Sequence, residues 1–363
     1  MHIQQIETFH AAIPLNSPFK TALRTVTVAE TVVVKITCDN GIIGWGEAPP
    51  THVITGDSIA SIDFAVNDIF KPLLTGESIL HYEKVFEKID AGIIGNTSAK
   101  AAVDMAIYDC IAQQASMPLA QFLGGYTDHI ETDYTVSVNS PDEMADDAQQ
   151  YTSAGFSVLK VKVGKDSIDN DVRRIQAIRK RIGSRAKIRL DANQAWQAKE
   201  AVRAISTMEE LGLDIELIEQ PVHRVDFEGL KYVTDNTATP IMADESVFST
   251  GDAKQVLEMR AADLINIKLM KAGGIHHALK IAKLAAVYGV TCMVGSMIET
   301  KIGITAAAHF AASQPNIRYF DFDAPLMLAG NLIEGGITYN GNKISLGTGA
   351  GLGIENVTPE FLK

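Results

Sequence analysis

The sequence predicts an α/β protein, a (β/α)8 barrel with a smaller α+β unit ahead of it, and three observations predict it. Beyond residue 125, short apolar strands alternate with longer amphipathic stretches, the pattern of a repeated βα unit. Eight such strands end at residues 138, 162, 191, 219, 244, 268, 294 and 321, a recurrence close to the roughly 30 residues per unit implied by about 250 residues over eight units. The chain of 363 residues also exceeds the usual single-core domain, which leaves its first third for a second unit.

In order, Met1 to Phe9 reads as a strand. Thr31 to Cys38 is rich in β-branched residues, Asp39-Asn40-Gly41 supplies turn chemistry, and Ile42 to Trp45 returns before Pro49-Pro50 ends the pairing, so a hairpin is expected. A helix follows, with Asn96 or Thr97 as its cap and Val103, Ile107, Cys110 and Ile111 on one stripe. Gly124-Gly125 marks a boundary and divides the chain into residues 1–125, a barrel over 126–325 and a tail over 326–363. The barrel strands are placed at Thr132 to Val138, Val158 to Lys162, Ile188 to Asp191, Ile215 to Glu219, Pro240 to Asp244, Leu264 to Lys268, Val290 to Val294 and Ile317 to Asp321. The first crossover helix is short, with Asp142 as its cap. The glycine-rich tail, with strand-like Ile337 to Tyr339 and Ile344 to Leu346, does not extend the repeat and is expected to return to the first unit.

Composition narrows the function. With 46% hydrophobic and 21% charged residues and no long apolar run, no membrane span is expected. The start has no basic stretch followed by an apolar core, so cytoplasmic residence is expected. Cys38, Cys110 and Cys292 are too far apart in sequence for metal-type pairing and read as buried small hydrophobes. A net charge of −12 opposes a nucleic-acid partner. The same charge means that any site for an anionic substrate must be built locally, from a metal or a few basic residues.

The strand ends carry that local chemistry: Lys162, Asp191, Glu219, Asp244, Lys268 and Asp321. Barrel active sites lie at the C-terminal ends of the strands. Asp191, Glu219 and Asp244 come from strands three, four and five and so stand side by side. Three carboxylates without Cys or His suit a hard cation, Mg2+ first and Mn2+ as a substitute, one per chain. Lys162 on strand two and Lys268 on strand six face each other across the mouth, which suits removal of a proton from one face of a carbon and its return to the other. Lys160, roughly 6.6 Å from Lys162 at about 3.3 Å per residue, either disfavours protonation of Lys162 by like charge or is structural. A metal near Lys268 is expected to lower that lysine's pKa. Asp321 and Asp323 alternate along strand eight and present two carboxylates opposite the metal wall, fit for a substrate ammonium; alternatively Asp323 caps the turn before Pro325.

With these residues placed, the chain resembles the enolase superfamily, in its muconate-lactonizing subgroup, over nearly its whole length. The resemblance rests on Leu159-Lys160-Val161-Lys162-Val163, Asp191-Ala192-Asn193, Glu219-Gln220-Pro221, Ala243-Asp244-Glu245-Ser246 and Asn266-Ile267-Lys268 with Gly273-Gly274. It implies an α+β capping domain over a modified, TIM-like (β/α)8 barrel, Mg2+ held by Asp191, Glu219 and Asp244, Lys162 and Lys268 as acid and base, and an enediolate stabilised by the metal. Asp321-Phe322-Asp323-Ala324-Pro325 is similar to the signature of dipeptide epimerases, whose aspartates hold the amino-terminal ammonium. Lys20-Thr21-Ala22-Leu23-Arg24-Thr25 and Gly295-Ser296-Met297-Ile298-Glu299-Thr300 resemble the epimerases of the L-Ala-D/L-Glu type and imply glutamate at the inverted carbon. In that reading Arg24 forks onto the glutamate side chain, or else it is a solvated loop residue. Thr135, Ser296 and Ile298 are carried over as substrate-wall contacts or packing, and Glu299 is left undecided. A homo-oligomer is expected. A cycloisomerase or an o-succinylbenzoate synthase-like lyase would share the metal and lysines, but two carboxylates would face a substrate with no ammonium. A non-catalytic binding protein would leave the lysine pair without a purpose.

Overall fold

The computed structural model describes residues 1–358 and residue 361. Three antiparallel strands, β1 (Ile3–Lys20), β2 (Thr25–Cys38) and β3 (Ile43–Ala48), form a meander ahead of the barrel. The expected turn is present: Gly41 sits at φ 84°, where only glycine is unstrained, and its N–H donates to Cys38 O at 3.0 Å. Both flanking strands run further than the sequence suggests. β1 passes Phe9 to reach Lys20 and β2 begins at Thr25, because the two keep pairing through an irregularity between Pro14 and Phe19. Their far end therefore projects the Thr21–Arg24 loop beyond the sheet.

The helix Thr97–Gln114 lies under this sheet. Asn96 occupies its N-cap in a left-handed conformation, but its side chain caps nothing. Nor is there one apolar stripe: every residue from Ser98 to Ala112 is buried. The helix is enclosed on all sides, and the sequence pays for the close approach with glycine. A Cβ on Gly46 would stand 2.0 Å from Ala102 O, and one on Gly44 would stand 2.1 Å from Ala106 O. Asp104, buried on the same helix, accepts from Ile275 N at 2.6 Å and His276 N at 3.1 Å, so it caps the barrel helix Ile275–Val287 from outside that helix.

Eight parallel strands in sequence order make the curled barrel sheet: Tyr134–Val136, Val158–Lys162, Lys187–Asp191, Ile215–Glu219, Ile241–Ala243, Leu264–Ile267, Thr291–Val294 and Ile317–Phe320. They are called the first to eighth barrel strands below. Several are shorter than expected, so that Asp244, Lys268 and Asp321 stand one residue past their strands. Their ladders continue as single bonds such as Asp321 N to Val294 O at 3.1 Å. Between the first and eighth strands there is no ladder; the seam is held by Asp133 N to Phe320 O at 3.4 Å and Phe322 N to Thr132 Oγ1 at 2.8 Å. Leu217, Met242, Leu264 and Met293 fill the barrel interior. The first crossover helix, Pro141–Ser153, is capped by Ser140 rather than Asp142, with Glu143 closing the reciprocal pair and Pro141 at the first helical position.

Past Leu328 the strands Thr338–Asn340 and Lys343–Ser345 pair with each other, and the latter also pairs with Ile130–Glu131. Leu328, Leu332, Ile333 and Val357 pack against Ala11, Ile13, Ala29 and Val33 of the antiparallel sheet. Cys38, Cys110 and Cys292 are buried and free. Among the described residues no helix is long and apolar enough to cross a membrane.

Candidate active site

Parallel register sets the charged residues on one level. Lys162 is the Cα partner of Asp191, and Asp191 of Glu219, so strands two to four deliver a lysine and two carboxylates abreast. Asp244 and Lys268 follow from the next two strands. Just past the third and fourth strands Asn193 (φ 43°), Gln194 (φ 69°) and Gln220 (φ 37°) take left-handed conformations, a strain that ends the strands sharply at the site.

The carboxylates and lysines form one buried ionic network. Lys160 Nζ lies 2.8 Å from Glu219 Oε2, 2.8 Å from Asp321 Oδ2 and 3.3 Å from Asp191 Oδ2. Lys162 Nζ is 2.6 Å from Asp191 Oδ2. Lys268 Nζ is 2.7 Å from Asp244 Oδ2 and 3.9 Å from Glu219 Oε1. Asn266 donates to Glu219 Oε1 at 2.8 Å. Lys271, also fully buried, bonds the Asp244 and Asn266 carbonyls and sits 2.7 Å from Asp244 Oδ1.

This network sets the charge state of its lysines. Of the two readings of Lys160, the structural one has direct contacts: it is the counter-ion of three carboxylates, which outweigh its burial and hold it well above the usual lysine range. Against Asp244 and Glu219 alone, Lys268 is held above its ordinary value, because the two carboxylates outweigh burial. The acids divide. Burial raises Glu219 to about 6, helped by Asp191, whereas for Asp191 burial is overcome by Lys162 and Lys160 and the group falls to about 2.

Above the network opens a cleft of about 610 Å3, its mouth included. Lys162 and Lys268 both line it, as do Arg24, Thr135, Lys160, Ser296, Ile298, Asp321 and Asp323. Asp323 stands at the N-cap of the turn Ala324–Met327, but its side chain does not cap that turn. It accepts instead from Thr135 N at 2.6 Å, so Thr135 contributes its backbone. Burial and the neighbouring Asp321 push Asp323 up to about 7. For Asp321 the lysines, Lys160 foremost, overcome burial and keep the group low. Ser296 Oγ donates to Asp321 O at 3.4 Å. Arg24 hangs from the loop between β1 and β2, where Thr21 N bonds Arg24 O at 3.0 Å and Thr21 Oγ1 accepts from Arg24 N at 3.2 Å. Its guanidinium forms no ion pair or hydrogen bond among the described residues, and burial lowers its pKa.

Sequence reasoning missed part of this wall. Phe19, whose ring centre lies 5.8 Å from Lys162 Nζ, and Leu23, Val53, Ile54 and Met327 also line the cleft. Leu23, Val53 and Ile54 come from loops with no periodic signal, and Phe19 and Met327 from the ends of β1 and of the turn Ala324–Met327. Asn193, Asn266 and Lys271 flank the charged residues within three positions, and that proximity was the available signal.

Asp191, Glu219 and Asp244 are all but fully buried, and three clustered buried carboxylates require positive charge. As the side chains stand, no group of three acidic, histidine or cysteine residues among those described is spaced to hold one ion. Four ammonium groups stand at these carboxylates: Lys160 at Asp191 and Glu219, Lys162 at Asp191, and Lys268 and Lys271 at Asp244. In chemistry, charge and burial these carboxylates fit a divalent cation, which would take over part of the counter-charge that these lysines now supply.

Comparison with known proteins agrees with this geometry. Residues 3–124 match the mandelate racemase / muconate lactonizing enzyme N-terminal domain, and residues 143–358 match the enolase C-terminal domain-like family. The chain is 62% identical over 354 residues to the L-Ala-D/L-Glu epimerase of Bacillus subtilis, covering 98% of this chain and 97% of that protein. A substrate-liganded structure of the epimerase from that organism superposes with a TM-score of 0.98 over 99% of this chain and 100% of that one. The dipeptide epimerase of Enterococcus faecalis, solved with Mg and L-Leu-L-Tyr, has 43% identity and a TM-score of 0.95, covering 98% of this chain and 100% of that one. The dipeptide epimerase of Cytophaga hutchinsonii, solved with Mg and D-Ala-L-Val, has 38% identity and a TM-score of 0.96, covering 100% of this chain and 99% of that one.

Proposed function

The chain belongs to the enolase superfamily, and from that premise we propose that it is a Mg2+-dependent dipeptide epimerase interconverting L-Ala-L-Glu and L-Ala-D-Glu by 1,1-proton transfer. One observation carries the reading: two lysines from the second and sixth of eight strands line a single cleft, with Asp321 and Asp323 in the same wall.

Asp191, Glu219 and Asp244 would hold one Mg2+ per chain, with Mn2+ as a substitute. When bound, the ion supplies positive charge that offsets the second negative charge of the enediolate. Lys162 and Lys268 act on the α-carbon from opposite faces, one removing the proton and the other returning one. Asp321 and Asp323 orient the dipeptide through its ammonium, and Thr135 N keeps the Asp323 carboxylate turned into place. Arg24 recognises the glutamate side chain; its support is a half-buried guanidinium without a partner in the cleft wall. Ser296 and Ile298 shape the wall beside it, and Lys160 keeps the buried carboxylates charged.

The division of labour in this reading is a cap over 1–125, the catalytic barrel over 126–325 and a tail over 326–363 returning to the cap; the packing of Leu332 and Val357 on Ile13 and Val33 supports it. Cytoplasmic residence and homo-oligomeric assembly belong to the same proposal. The deciding experiment is proton NMR of the Mg2+-loaded protein with L-Ala-L-Glu in deuterium oxide. Loss of the glutamate α-proton signal with appearance of L-Ala-D-Glu is expected. Exchange of a different dipeptide alone would sink the glutamate assignment, and no exchange with any dipeptide would sink the epimerase reading.

A further inference from the structure

Two buried carboxyl groups that the reaction does not use meet where the cap touches the barrel. Glu47 lies on β3, is 0% exposed, and accepts from Thr300 Oγ1 at 2.7 Å and Gly303 N at 2.9 Å. Those donors belong to the first turn of the barrel helix Lys301–Ser313, so Glu47 caps that helix from the other domain, as Asp104 does for Ile275–Val287. Glu299, 1% exposed, precedes the same helix; its Oε1 accepts from Met297 N at 2.8 Å, while its Oε2 is buried without a partner. The two groups converge on Gly303. A Cβ there would lie 2.3 Å from Glu299 Oε2 and 2.6 Å from Glu47 Oε1.

An unpartnered carboxylate oxygen is costly in such a place, and two anions together are costlier. Glu47 has donors on both oxygens and a helix N-terminus to favour its charge. Glu299 has one donor and an unpartnered Oε2 that reaches the same glycine as Glu47 Oε1. We infer that Glu299 is a neutral carboxylic acid sharing its proton with the Glu47 carboxylate, and that the pair is the clasp by which the cap fixes the Ser296–Ile298 wall of the cleft. The wall enters because Ser296, Met297 and Ile298 line the cleft, whereas Glu299 does not and holds Met297 N from behind. Only this last part rests on reading the cleft as the substrate site.

Glu299 is faced by Glu47 from β3, by Lys268 beyond the sixth barrel strand and by Asp321 beyond the eighth; burial and then Glu47 raise it to about 8. Glu47 is faced by Thr300, Gly303 and Thr31, and its own burial raises it to about 7 against the hydrogen bonds from Thr300 and Gly303. A carboxyl raised in the folded state makes the native chain bind more protons than the unfolded one between the ordinary 4.5 and about 8, so stability falls as pH rises across that window.

The test needs no substrate. Glu299→Gln keeps an acceptor for Met297 N and a donor toward Glu47 but does not titrate. Its melting temperature should therefore fall less steeply than that of the wild type from about pH 6 to about pH 9. Its infrared spectrum at neutral pH should lack one protonated-carboxyl carbonyl band present in the wild type. Parallel melting curves, or no missing band, would overturn the neutral acid. Glu47→Gln removes the neighbouring charge, so the Glu299 band should disappear at lower pH than in the wild type; an unchanged titration would overturn the pair. Glu299→Ala frees Met297 N and should raise KM for the dipeptide more than it lowers kcat; a change confined to kcat would overturn the clasp.

Discussion

The floor of the cleft and the loop above it are built in opposite ways. On the floor, Lys160 is bound to three carboxylates and Lys268 to two, all nearly sealed from water. In the loop, Thr21–Arg24 is tied by its own backbone and the Thr21 hydroxyl, Leu23 is 41% exposed, and the Arg24 guanidinium has no partner among the described residues. A network of buried ion pairs fixes positions and reacts to any loss. An unsatisfied cation on a light support waits for a ligand. The floor should thus govern the reaction of every dipeptide, and the loop only the choice among them.

The sharpest test of that contrast is removal of a lysine. Lys162→Ala and Lys268→Ala should each lower epimerisation by about 10^2- to 10^4-fold. Each should still allow α-proton exchange of the one diastereomer whose proton faces the remaining lysine, seen by NMR in deuterium oxide. Exchange of both diastereomers in either variant would refute the two-face assignment.

Lys160→Met, next in size, leaves three buried carboxylates short of a counter-ion and should cost about 3–5 kcal/mol in urea unfolding of the metal-free protein. A loss within the surface range of about 0.5 kcal/mol would show that the floor is not a network.

Asp323→Asn removes a charge from the ammonium side and should lower kcat/KM by roughly 10- to 100-fold, equivalent to about 1.4–2.7 kcal/mol. Because Asp323 is raised to about 7, it is charged above that pH and neutral below it; the wild-type kcat/KM should fall as pH drops through about 7, and the variant should lose that limb.

Arg24→Met should have the smallest general effect: about a tenfold rise in KM for L-Ala-L-Glu, with a dipeptide of apolar second residue unaffected or improved. Equal loss for both dipeptides would erase the contrast between loop and floor.

The strand-end charges were legible because position is enough: a parallel repeat brings its C-terminal ends to one face whatever the packing details. Lys162, Asp191, Glu219, Asp244, Lys268, Asp321 and Asp323 were found in that way. What Lys160 touches was not legible, since period-two alternation places its side chain on the site face but says nothing of partners from strands three, four and eight. The helix Thr97–Gln114 was misread for the same reason. A single stripe assumes one solvent face, and Gly44, Gly46 and Gly274 let the cap sheet and barrel close around it. The cap of the first crossover helix was legible and overlooked: Ser140 with Glu143 three residues on and Pro141 between them marks Ser140, not Asp142, as the cap.

By itself, the sequence determined the eight-unit repeat, the appended unit and the set of charged residues that face one another, because periodicity and spacing are properties of the chain. The tertiary structure alone decided which lysine neutralises which carboxylate, that Asp323 turns to Thr135 N instead of capping its own turn, and that Glu47 meets Glu299 across Gly303. Those pairings join residues far apart in sequence, and their energies depend on burial, which a linear order of residues does not contain.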